Sequence, residues 1–174
     1  MTLDTSNPFD PGLPPARARA LPWLTVMAGS LFAIVPVVAI VPLQPPMGLL
    51  MLLAWRLVAR FALRLWAAAP LGLFDDLVSG QPLGSAMLLW SLTSLAIDLF
   101  EHRLVFRDFW QDWLIASGAI AFCLIAGRFL AVPVGAQVDA PLIVQIGITI
   151  LLFPMATRLV AWIDRKRGRN EVGA

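Results

Sequence analysis

The chain has 174 residues, 59% of them hydrophobic and 14% charged, with a formal net charge of +2. Soluble domains carry about 25% charged residues, and a soluble chain this short has too little interior to hide so much apolar surface. The slight positive balance does not suit nucleic acid. The single cysteine, Cys123, excludes an intrachain disulfide, and neither it nor the single histidine, His102, has a companion with which to hold a metal.

Residues 1–20 hold four prolines and two acids and read as a short extended tail on the cytoplasmic side. From Ala20 to Trp55 no charged residue occurs. About 20 apolar residues in helix already cross the ~30 Å hydrocarbon core of a bilayer. The run is too long for the apolar region of a signal peptide, so it reads as a retained span. In lipid every backbone polar group must be paired internally, and long continuous runs without alternation specify helices over barrel strands.

The first span is expected at about Leu21–Leu43, closed by Pro42, Pro45 and Pro46. A second apolar piece begins at Met47 and meets Arg56, Arg60 and Arg64. A third covers about Leu65–Phe74 and ends at Asp75 and Asp76. The fourth is about Leu83–Phe100, the fifth about Trp113–Val132, and the sixth about Pro141–Ile163. The second and third have only about ten uncharged residues each, a length shared by short spans and re-entrant segments. The reading is an all-α integral membrane protein of about six short-looped helices. Residues 21–164 form the polytopic domain and 165–174 a basic cytoplasmic tail.

Orientation follows from the cations. With the N-terminus inside, six spans place Arg56–Arg64, Arg103, Arg107 and the Arg165–Arg169 cluster in the cytoplasm. The outer loops, near residues 44–46, 75–82 and 133–140, then carry Asp75, Asp76 and Asp139 and no Lys or Arg, as the positive-inside rule expects. Losing both weak spans as a hairpin preserves this parity. Trp23, Trp66, Trp110, Trp113 and Trp162 fall near the inner boundary, where amphipathic rings anchor, while Trp55 and Trp90 fall mid-span and are expected to pack between helices.

Few groups suggest chemistry. Arg56, Arg60 and Arg64 recur every four residues, which on a helix is one basic face. Such a face snorkels to lipid headgroups or docks an acidic partner. Asp75 or Asp76 is expected to pair with Arg128, which would lie at similar depth. Gly80 and Gly84 match a G-x-x-x-G string, but Pro82 between them makes it a turn. Ala119, Cys123 and Gly127 are small residues at i, i+4 and i+8, a seam for close helix approach, within this chain by preference. His102 lies among acids without a nucleophile and reads as part of an interfacial loop. No catalytic, metal or cofactor motif occurs.

The junction Pro70-Leu-Gly-Leu-Phe-Asp-Asp-Leu-Val-Ser-Gly-Gln-Pro-Leu-Gly84 resembles the signature of the rod shape-determining MreD family, a Gly-Leu-x-x-Asp-hydrophobic-x-x-Gly-x-x-x-Gly string. It falls on Gly72, Leu73, Asp75 or Asp76, Gly80 and Gly84. Pro45–Arg56 and Arg107–Trp113 are also similar to that family. The resemblance implies a fold like the S component of ECF-type transporters. It also implies a non-enzymatic role in the bacterial inner membrane, in the cell-elongation complex that builds peptidoglycan. The partners it implies are the single-span protein MreC and, directly or through it, RodA, the elongation transpeptidase and MreB filaments. The alternative is a transporter component binding a small molecule. Its polar candidates in the outer half are Asp75, Asp76, Gln81, Arg128, Gln137 and Gln145.

Overall fold

The structure is a computed structural model that describes residues 16–32, 44–59, 62–101, 109–131 and 139–172. These form six α-helices and no strands: α1 Ala16–Leu31, α2 Met47–Val58, α3 Ala68–Ser79, α4 Ser85–Glu101, α5 Phe109–Ala131 and α6 Asp139–Val172. A 3-10 turn, Leu65–Ala67, leads into α3.

Two segments are long and apolar enough to cross a membrane, Phe109–Leu130 and Pro141–Lys166. The apolar stretches Ala20–Leu31, Met47–Val58 and Ser85–Phe100 are shorter. With 12 residues each, α2 and α3 are about 18 Å long at 1.5 Å per residue, less than a bilayer core. At both ends helix extends further than composition suggested. Helix α1 begins at Ala16, inside the segment read as an extended tail, because Ala and Arg are strong helix formers. Helix α6 continues through the basic segment to Val172, where cations suit the negative helix end.

Helices α1, α3, α4, α5 and α6 are neighbours in that order, and α2 closes the ring between α6 and α1 while also touching α4 and α5. This central position explains why Met47–Trp55 is apolar all round: Leu49, Leu50, Leu52, Leu53, Ala54 and Trp55 are buried. Trp55 is fully enclosed, and its indole Nε1 donates to Thr25 Oγ1 of α1 at 2.8 Å. At the entry to α2, Gln44 Nε2 donates to the Phe32 carbonyl (2.8 Å), and Gln145 Nε2 of α6 donates to the Gln44 carbonyl (2.7 Å).

The bundle is apolar outside and partly polar inside. Leu114, Phe129, Ile143, Leu151 and Met155 are exposed, whereas Ser30, Arg56, Asp76, Thr93, Ser94 and Thr149 are buried. Water would favour the reverse. In lipid the tails solvate apolar side chains, and small polar groups join helices from within.

Arg56 corrects the basic face. Helix α2 ends at Val58, so Arg56 and Arg64 do not share a helix; Arg60 lies outside the described residues. Arg64 is exposed just before the 3-10 turn. Arg56 points into the bundle. Its guanidinium donates to the carbonyls of Leu63 (3.4 Å) and Ser94 (3.2 Å) and pairs with Asp98 Oδ1 at 3.4 Å. It therefore fastens the α2–α3 connection to α4. Arg56→Lys should lower stability by about 1–3 kcal/mol, since one ammonium cannot reach all three acceptors. Asp98→Asn should lower it less, because the Asp98 side chain is 42% exposed. Thermal unfolding of both variants in detergent checks that order.

The tryptophans at the expected inner boundary gather. Trp23 and Trp66 pack at 5.6 Å between centroids, Trp110 and Trp113 at 5.8 Å, and Lys166 Nζ lies 5.1 Å from the Trp162 ring. Trp66, Trp110 and Trp162 remain exposed, as rings at a headgroup boundary would be.

The α3–α4 junction as candidate functional site

Helix α3 stops because Gly80 turns left-handed (φ 67°, ψ 20°) at its C-terminus. The turn through Gln81, Pro82 and Leu83 closes with Ser85 N–H donating to the Pro82 carbonyl at 3.0 Å. Gly84 also has positive φ, 95°. Both glycines therefore adopt conformations that L side chains avoid, and a Cβ at either would stand in open space. Gly80→Val should lower stability by about 1–2 kcal/mol through backbone strain alone. Gly80→Asn should lose about half of that or less, because Asn tolerates this region. Paired unfolding curves test the difference.

The two aspartates separate by helical phase. Asp76 is 1% exposed and lies over the start of α4. Its Oδ1 accepts from Ser85 Oγ (2.9 Å) and Ala86 N–H (2.8 Å). Its Oδ2 accepts from Gly84 N–H (2.9 Å) and Met87 N–H (3.3 Å). The carboxylate thus caps α4 from another helix, satisfying orphan donors at the positive end of the helix dipole. This engages both Asp76 oxygens. Asp75 lines a cavity of about 220 Å³ together with Gln81, Trp90 and Arg128.

Beside Asp75, a Cβ added to Gly48 would meet Ser30 Oγ, would stand 3.0 Å from Asp75 Oδ1 and would stand 3.0 Å from the Trp90 ring. Ser30 is buried there. Ser30 and Gly48 were not singled out from sequence, and Trp90 was expected only to pack between helices, where it is buried. Each belongs to a different helix from Asp75, and nothing in the spacing brings them together.

Gly72 sets how closely α3 meets α4. A Cβ there would stand 2.7 Å from the Ala86 carbonyl oxygen and 2.7 Å from Met87 N and Cα. Further along α4, the small-residue seam of α5 faces it. Cys123 Sγ and Thr93 Oγ1 are hydrogen-bonded at 3.1 Å, and a Cβ on Gly127 would lie 3.6 Å from Leu89. Ala119, with Gly118, lines an apolar cavity of about 520 Å³ between the same two helices. His102, Arg103, Arg107 and Gln137 lie outside the described residues.

Among the described residues no three His, Cys, Asp or Glu side chains come together. What the junction assembles is a helix-to-helix clamp. The class this defines is a helical membrane protein whose buried polar groups hold helices together. The family model for the rod shape-determining protein MreD matches residues 18–130, which contain the whole junction, and the chain belongs to that family. No curated protein and no solved structure matches the chain, so the expected likeness to ECF-type S components is without support.

Proposed function

We propose that this chain is a non-enzymatic inner-membrane subunit of the cell-elongation complex, crossing the membrane six times with both termini in the cytoplasm. It binds an MreC-like single-span protein and through it supports peptidoglycan synthesis by RodA and the elongation transpeptidase, with MreB filaments on the cytoplasmic side. The observation that carries this reading is the junction inside a family-matched segment. Its most buried acid, Asp76, is spent on capping α4, which is a structural use. The outward faces are apolar, suited to meeting a neighbouring helix in lipid.

The test is a mild-detergent pulldown of the tagged chain from its native membrane, with mass spectrometry of what stays bound. A single-span protein near equal stoichiometry is the expected result. Recovery of an ATPase with a coupling membrane subunit instead would move the chain to the transporter class.

A further inference from the structure

Arg56 and Arg158 are both cations of apolar helices, and their surroundings differ. Arg56 is held by three acceptors. Arg158 belongs to the long apolar segment Pro141–Lys166 of α6 and is exposed. Among the described residues it makes neither a hydrogen bond nor an ion pair. It lines a cleft of about 470 Å³ bounded by Leu57 and Val58 at the end of α2, Phe109 and Asp112 at the start of α5, and Phe153 of α6. Asp112 is engaged in an interaction of its own, so the charge of Arg158 is left over.

Depth decides what neutralises that charge. Trp162 is exposed and has Lys166 Nζ over its ring, as at a headgroup boundary. Arg158 stands four residues before it, about 6 Å away along the helix at 1.5 Å per residue. Helical side chains lean toward the helix N-terminus, which in α6 leads away from that boundary and deeper. The lining agrees, since it reaches Phe153, more than a turn further in. A guanidinium at that depth is costly without an anion. A soluble anion would have to shed its water against apolar walls. A lipid phosphate reaches the place with acyl chains of its own, and Leu57, Val58 and Phe153 offer those chains an apolar wall.

We propose that this cleft binds the phosphodiester of an inner-leaflet phospholipid with a single net negative charge, that of phosphatidylglycerol. Arg158 donates to two phosphate oxygens, which its planar fork matches. A zwitterionic lipid fits less well, because its own ammonium competes with Arg158 for the phosphate and leaves the site net positive. The leaflet rests on the proposed orientation. The site does not depend on any protein partner.

Native mass spectrometry of the purified chain, loaded with equal amounts of phosphatidylglycerol, phosphatidylethanolamine and phosphatidylcholine, tests it. Retention of phosphatidylglycerol should exceed that of either other lipid by about tenfold, the effect of one charged hydrogen bond. Arg158→Gln should erase the preference, and Arg158→Lys should keep part of it. Because Arg158 has no partner among the described residues to lose, Arg158→Gln should unfold at the same temperature as wild type in lipid-free detergent. Added phosphatidylglycerol should then raise the melting temperature of wild type and leave that of Arg158→Gln unchanged. Equal retention of the three lipids, or an Arg158→Gln chain that keeps the preference, overturns the site. Displacement by soluble glycerol 3-phosphate would assign the cleft to a free anion and overturn the lipid; failure to displace supports it. Loss of a protein partner from Arg158→Gln with lipid retention unchanged would give the cleft to an acidic segment of that partner and overturn the lipid as well. A chain that selects phosphatidylglycerol but recovers no single-span protein would keep this site and remove the scaffold reading. The reverse pattern would do the opposite.

Discussion

Asp76→Ala should lower stability by about 3–5 kcal/mol and sharply reduce the folded yield in the membrane. A helix cap is worth about 1–2 kcal/mol, and hydrogen bonds to a charged group about 1.5–3 kcal/mol each, without strict additivity. Asp76 supplies both at once, in a buried place where Gly84, Ala86 and Met87 would otherwise leave N–H groups unpaired. Asp76→Asn keeps one acceptor oxygen and should fall between wild type and alanine. Asp75→Asn should leave the fold standing, because no backbone donor of α4 depends on Asp75. Fluorescence-detected size exclusion after a temperature series separates the three. Equal loss at Asp75 and Asp76 would refute the division of labour between them.

Gly72→Ala should be nearly as damaging, although alanine usually stabilises a helix by about 1 kcal/mol relative to glycine. The sign is set by what the new methyl meets. All three nearest atoms belong to the backbone of Ala86 and Met87, at 2.7 Å, and a backbone cannot swing aside as a side chain can. Helix α3 would have to move off α4, and overpacking of this kind costs about 1–3 kcal/mol before the propensity gain is subtracted. The displacement would also draw Asp76 away from its four donors, so the loss should approach that of Asp76→Ala. A melting temperature at or above wild type for Gly72→Ala would show that the helices are not in backbone contact. Gly72→Ala and Asp76→Ala combined should lose less than the sum, since both break the same clamp.

Much of the junction could be read in the chain itself. Gly80, Pro82 and Gly84 announced a turn, and both glycines have the positive φ that such a turn requires. The uncharged runs identified helices, and their outward apolar faces agree with lipid as solvent. The choice between Asp75 and Asp76 was not legible. It depends on the phase of α3 at Gly80 and on where α4 begins, which adjacent identical residues cannot encode. The spacing of Arg56, Arg60 and Arg64 misled for a different reason. A four-residue period is a face only while the helix lasts, and α2 ends at Val58. What holds Arg56 is Asp98 of α4 and the carbonyls of Leu63 and Ser94, with Asp98 and Ser94 distant in sequence. Such a pair becomes visible only once α2 and α4 are neighbours.

The proposed orientation underlies the partner reading, and it can be tested directly. Cys123 is the only cysteine and is buried against Thr93. Cys123→Ser keeps that hydrogen bond and clears the background. On it, Gln81→Cys and Arg64→Cys place one thiol at the junction and one beside the connection before α3, both at exposed positions. Intact cells are then treated with a membrane-impermeant maleimide. The account predicts labelling of Gln81→Cys in intact cells and of Arg64→Cys only after permeabilisation. Labelling of Gln81→Cys only after permeabilisation, or of both positions from the same side, would contradict it.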